Sequence, residues 1–280
     1  DGVGEKLNAL TQRQGWLARL ELGYQLRGDK TRLMHSKREG PLAVQRAFYP
    51  EGDVCHTYLL HPPGGVVAGD QLHIDLRVEA DAKVLLTTPG ATKFYRSTGA
   101  QADLTQKLYV AAGGSLEWMP LENIFFPETK SRILTEVHLQ PGAQFIGWEI
   151  NCFGRPSNAE RFERGQIHSE MRIFRDGAPV LFDRFATDGE SVISSPVGLR
   201  GVSGNSTLIA TLNDAEVVEQ VQQLLDGNKL AGATLVDGLL VLRTISEQSH
   251  QVVALFAEVW KLIRPCINGR DPCMPRIWAT

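Results

Sequence analysis

The chain has 280 residues and a mass of 30.9 kDa, is 42% hydrophobic and 22% charged, and carries a formal net charge of −3 with a pI near 6.2. That composition is globular and excludes a disordered chain, and without a net basic field nucleic acid is a poor partner. No segment approaches the roughly 18 apolar residues of a membrane-spanning helix, and Asp1 to Leu20 lacks the apolar core of a signal peptide, so a soluble cytoplasmic protein is expected.

From Trp16 to about Phe185 the pattern is strand-like, with period-two alternation in Leu72–Val78 and again in Ile167–Ile173. Turn signals punctuate it at Arg27-Gly28-Asp29, Gly113-Gly114, Pro141-Gly142 and Asp176-Gly177. Three stretches, Val78–Pro89, Val110–Pro120 and Leu139–Glu149, each read as an apolar residue, a tight turn and a strand. Their turn residues Ala82, Gly114 and Ala143 fall about thirty apart, which either stacked solenoid coils or a run of β-hairpins produces. Ser191–Asn205 is Gly/Ser-rich and reads as a surface loop.

After Gly204 the character changes. Asp214 can cap a helix carrying Val217, Val218, Val221, Leu224 and Leu225 as far as Gly227. A strand over Gly238–Ile245 follows, then an amphipathic helix over Glu247–Arg264 that Pro265 should end. The expected fold is therefore mainly β, a stacked-strand body over about 15–205 with a small C-terminal α+β portion over about 206–280 holding two helices, all in one domain spanning 1–280.

Four cysteines, Cys55, Cys152, Cys266 and Cys273, form no C-x-x-C pair, which argues against a disulfide framework or a structural zinc site; mostly buried apolar fillers are expected. The turn His61-Pro62-Pro63-Gly64-Gly65-Val66-Val67-Ala68-Gly69-Asp70 copies the glycine spacing of a phosphate loop. It continues with Asp70 and Gln71 where such a loop needs Lys and Ser or Thr, and the carboxylate would repel phosphate. Any nucleoside triphosphate must then sit on a partner.

Cys55, His56, His61, Asp70 and His73 form a local crowd of metal-capable side chains, but strand alternation argues against their closing into a cage; a transient contact fits better. Asp70, Glu117, Glu122, Glu149 and Asp183 lie in or beside apolar strands, where an isolated carboxylate is costly unless paired, metal-bound or wet. Lys93 and Arg96, around Phe94 and Tyr95, suit an anion grip or an interface edge. The five tryptophans read as packing residues, and Pro275-Arg276-Ile277-Trp278 reads as a docked tail or a partner motif. No nucleophile elbow is present. The residues alone leave two functional readings open, a β-solenoid carbohydrate-active hydrolase using two acids among Glu117, Glu122 and Glu149, and an interaction module without chemistry.

Several ordered motifs together resemble the urease accessory protein UreD (UreH) family. They are Gly40-Pro41-Leu42-Ala43-Val44-Gln45-Arg46 with Phe48-Tyr49-Pro50, Tyr58–Asp70, Pro89–Ser97, Phe125-Phe126-Pro127, Gly154-Arg155-Pro156 and Pro275–Trp278. The resemblance implies a non-enzymatic chaperone with a β-helix-like body, acting in a hetero-oligomeric complex with UreF, the GTPase UreG and apo-urease. It implies that nickel(II) passes transiently through an internal water-filled tunnel, with no tightly bound cofactor and with GTP held by the partner alone. Carried over by position, the tunnel-lining residues are Asp70, Glu149 and Asp183, with Thr92 where the family commonly has Ser; His61 is left open as a further contact. Weak oxygen ligands suit a path that must release its metal.

Overall fold

The computed structural model describes residues 15–279. The expectation for Asp1 to Leu20 therefore falls, for residues 1–14, outside the described residues. Among the described residues no helix is long and apolar enough to cross a membrane.

Among the described residues, seventeen strands in two sheets and two α-helices make the fold. In the first sheet, β1 (Leu17–Arg27), β5 (Gln71–Val78), β8 (Ala102–Val110), β11 (Lys130–Leu139) and β13 (Gln166–Arg175) lie parallel. Antiparallel β2 (Lys30–Glu39) and β14 (Ala178–Asp188) close its two ends. In the second sheet β4 (Cys55–Leu60), β6 (Lys83–Thr87), β9 (Ser115–Met119) and β12 (Gln144–Phe153) are parallel, with β3 (Ala43–Val44) antiparallel at one edge. Short β7 (Thr92–Phe94) and β10 (Asn123–Phe125) pair in parallel and join the end of β12. Beyond β12, β15 (Gly204–Thr211), β17 (Leu239–Ile245) and β16 (Ala231–Val236) continue the same sheet antiparallel.

The chain alternates between the sheets, so β5-β6-β7, β8-β9-β10 and β11-β12 are successive coils of a solenoid. The repeat seen in the sequence is its turn. Ala82, Gly114 and Ala143 each donate their N–H to the carbonyl three residues back, at 3.1, 2.9 and 3.0 Å. The residue before each, Asp81, Gly113 or Gly142, has a positive φ of 60, 70 or 77°. Two of the three are glycine because that conformation strains an L side chain. The solenoid alternative is thus the one adopted, and the alternations of Leu72–Val78 and Ile167–Ile173 fall in β5 and β13 with alternate residues buried.

One core lies between the sheets, and a second lies between the outer face of the second sheet and the helices. Helix α1 (Ala215–Leu224) begins where expected, with the Asp214 carboxylate accepting from the N–H groups of Glu216 and Val217. Helix α2 (Ser249–Asn268) does not stop at Pro265 as expected. It runs through the proline and ends on Gly269, whose φ is 68° and whose N–H donates to Pro265 O. Proline removes one helical bond, but the last turn is anchored by fully buried Arg264, by Ile267 in the core, and by the Gln144 side chain on the Ile267 carbonyl. Tertiary packing overrides the local breaker. The segment 189–203 is a loop of turns that buries Ile193 and Leu199.

Candidate functional site

The two sheets do not meet everywhere along their inner faces. A cavity of about 210 Å³ lies between them, lined by His61 and Gly64 of the proline-glycine turn, by Thr92, Lys93 and Asn123, and at depth by Glu149. Ile74, Leu104 and Trp118 give its walls an apolar part, and Gln106, Thr135 and Thr88 also line it. A second, smaller cavity of about 20 Å³ adjoins Glu149 from the other side and is lined by Asn151, Ser169, Asp183, Asn205 and Thr207. That is room for about one water molecule. Glu149 is the acid shared by both.

Strand register explains why these groups converge. Thr92 on β7, Asn123 on β10, Asn151 on β12 and Asn205 on β15 are consecutive cross-strand neighbours. Their side chains interlock: Asn123 Nδ2 donates to Asn151 Oδ1 at 3.1 Å, and Asn151 Nδ2 donates to Asn205 Oδ1 at 3.3 Å. A ladder of amides satisfied by one another is how stacked strands carry polar groups through an interior. Two residues along the strands, Glu149, Thr207 and Arg243 form a second row on β12, β15 and β17. On the other side of the amide row, buried Phe94, Phe125 and Phe153 stack with centroids 4.9 and 5.7 Å apart, and Phe185 stacks on Phe153 at 4.8 Å. The polar rows therefore run across the coils beside a dry aromatic wall.

Within this setting Glu149 Oε1 accepts from Asn151 Nδ2 at 2.7 Å and from Ser169 Oγ. Burial pushes the Glu149 carboxyl above the usual range, with the nearby Asp183 charge acting in the same direction and the two hydrogen bonds opposing. Asp183 comes from β14 of the first sheet. Its Oδ2 accepts from Thr207 Oγ1 at 2.7 Å, and its Oδ1 accepts from Arg243 Nε at 3.1 Å and Nη2 at 3.0 Å. His61 is held below its ordinary value by burial, partly offset by Asp70. It stays neutral at pH 7, the form that can ligate a metal.

The structure thus places His61, Thr92 and Glu149 on the larger cavity and Glu149 and Asp183 on the smaller one. Asp70 lines neither of these two cavities. Its side chain is 3% exposed, and its two oxygens accept from Trp16 N and Val67 N, each at 2.9 Å, tying the turn to the start of β1. Asn123, Asn151, Asn205, Ser169, Thr207 and Arg243 were not singled out from sequence. A signal for three of the row existed in the repeat, since Thr92-Lys93-Phe94, Asn123-Ile124-Phe125 and Asn151-Cys152-Phe153 each end a coil with a polar residue two before phenylalanine.

The other candidates disperse. His56 Nε2 bonds Glu51 at 2.6 Å, and His73 lies in a shallow groove on the first sheet with Arg19 and Asp75. Among the described residues no group of three or more His, Cys, Asp or Glu is arranged to hold a metal. Burial pushes the Cys55 and Cys152 thiols up to about 11, so both are protonated fillers at neutral pH. Cys266 is exposed and Cys273 half-buried, so two of the four are the buried fillers expected of most of them. Glu117 faces the helices, where Trp260 Nε1 and Arg264 bind it at 2.7 to 3.0 Å. It is on the opposite face of the second sheet from Glu149, and the two cannot share a glycosidase cleft. Glu122 accepts from Ser249 Oγ at 3.3 Å. Arg96 pairs with Glu128 at 3.4 Å, while Lys93 lines the large cavity. The tail docks on the protein itself, Trp278 Nε1 donating to Thr87 Oγ1 at 3.0 Å and its ring packing on Trp148.

Comparison with known proteins agrees with the motif content. The family described as UreD urease accessory protein matches residues 17–279. A urease accessory protein UreD of Aliivibrio fischeri is 45% identical over 282 residues, covering 96% of this chain and 98% of that protein. Proteins of the same description from Alcanivorax borkumensis and Pseudomonas entomophila are 43% and 44% identical, the first covering 97% of this chain and 95% of its own length, the second 95% of each.

Proposed function

The chain belongs to the UreD family of urease accessory proteins, and from that premise we propose that it is a metallochaperone scaffold that conducts nickel(II) between its two sheets during urease maturation. In this reading it has no catalysis of its own. It works in a cytoplasmic complex with UreF, the GTPase UreG and apo-urease, and the GTP is bound by UreG.

The observation that carries the reading is the set of polar groups on two adjoining cavities that share the Glu149 carboxylate, with His61, Thr92 and Asn123 on the larger, Asn151 and Asp183 on the smaller, and Asn123, Asn151 and Glu149 joined by hydrogen bonds. A cation moving along them meets single carboxylates, amides and hydroxyls in turn, which bind nickel weakly and exchange it. A storage or catalytic site would gather its ligands at one point.

The test is urease activation by apo-urease, UreF, UreG, GTP and nickel with and without this chain, followed by Glu149→Gln. Activity is expected to depend on the chain and to fall at least about tenfold in the variant, while co-purification with the partners is unchanged. Activation without the chain, or undiminished activation by a correctly assembled Glu149→Gln complex, would refute the conduit.

A further inference from the structure

The path ends on a residue whose charge is opposite to its own. Arg243 on β17 stands in register with Thr207 and, through it, with Glu149, and its guanidinium places both Nε and Nη2 on the same oxygen of Asp183. Asp183 is therefore already neutralised by a tethered cation. Its side chain is 23% exposed and that of Arg243 is 52% exposed, so the pair sits at the boundary between the interior and solvent. It differs in this from the buried pairs that tie the long helix to the second sheet. Arg264, between Glu51 and Glu117, has no exposed side-chain surface and is a fixed structural clamp.

We propose that Arg243 is a displaceable counter-ion gate, occupying Asp183 when the path is empty and swinging into solvent to yield the carboxylate to a divalent cation. The proposal rests on the conduit reading and names the residue that sets its resting state. One carboxylate charge cannot fully compensate two cations, so metal at Asp183 and the Arg243 contact compete. A half-exposed arginine on a long flexible stem is held weakly enough to leave. Thr207, which donates to the other oxygen, keeps Asp183 aimed at the path while Arg243 is away. The arrangement gives an acidic interior that does not fill with whichever cation is abundant, because each arriving ion must first compete with a charge already attached.

The experiment measures Ni2+ binding to the full chain directly, by calorimetric titration with nickel chloride, with no urease present. Arg243→Gln is expected to bind Ni2+ about tenfold more tightly than the wild type or to expose one further site, and adding Asp183→Asn is expected to abolish the gain. Unchanged or weaker binding by a folded Arg243→Gln protein overturns the gate, as does a gain that survives Asp183→Asn. Should Arg243→Gln melt well below the wild type, Arg243→Lys carries the test, since it keeps the charge but not the two-pronged contact. Intermediate binding is then expected, and wild-type binding overturns the proposal. Failure of the conduit reading itself would be seen elsewhere, as normal urease activation by Glu149→Gln, and would not alter these binding outcomes.

Discussion

Asp70, conspicuous in sequence, also has a structural use in the fold. A carboxylate accepting two backbone N–H groups while 3% exposed is a fastening for the turn that carries His61 and Gly64 to the mouth of the cavity. Asp70→Ala removes both charge-assisted bonds and leaves two donors unsatisfied, a loss of about 1–3 kcal/mol for each such group. The variant should melt several degrees below the wild type, and any loss of urease activation should track the loss of folded protein. Full stability with lost activation would instead put Asp70 on the metal's route. At this scale the acids were legible because carboxylates in apolar strands demand an explanation. The amides were not, because Asn123, Asn151 and Asn205 are unremarkable until register places them side by side.

At the scale of elements, α2 is attached to the second sheet by a buried ionic cluster that no local pattern announced. Arg264 binds Glu51 at 2.6 and 2.8 Å and Glu117 at 2.9 and 3.0 Å, and its guanidinium lies 5.0 Å from the Trp260 ring centre. Removing one partner of such a cluster strands uncompensated charge. Arg264→Met is expected to cost about 3–5 kcal/mol in chemical denaturation, and a loss under about 1 kcal/mol would show that the cluster is not compensating the two acids. Burial tends to raise the Glu51 carboxyl, but hydrogen bonds from His56 and Arg264 outweigh it and hold the group at about 2. Glu51 is ionised at lower pH in the fold than its ordinary 4.5, so its contribution is complete above 4.5 and is lost as pH falls from there towards 2. A melting series should therefore show a steeper acid limb for the wild type than for Glu51→Gln, and parallel limbs would contradict the assignment. The α2 boundary was misread for the same reason that the cluster was hidden. Pro265 is a local signal, whereas Arg264 and Ile267 act through contacts with residues more than a hundred positions away.

For the molecule as a whole, the sequence carried the coil because its turn recurs, with Asp81, Gly113 and Gly142 at matching positions. Of the closing strands it carried β17, expected over Gly238–Ile245, but not β15 and β16, and not that all three join the second sheet antiparallel and interrupt the repeat. A ladder whose rungs touch only their neighbours has its strongest protection in the middle. Amide exchange should be slowest in β8, β9, β11 and β12 and fastest in β2 and β16, at the ends of the two sheets. Uniform exchange across all of these strands would mean that the sheets open as one unit.

The Thr92-Asn123-Asn151-Asn205 row has one member per strand, and adjacent strands lie ~4.8 Å apart. The row is in effect a ruler whose smallest division is a strand. Its reach, three divisions or ~14 Å, can change only by whole coils, each of about thirty residues. Shortening the protein by one coil at matching turns would bring its two ends closer by one division while leaving every remaining rung in register, whereas deleting a few residues within a strand would turn the polar groups towards the opposite face.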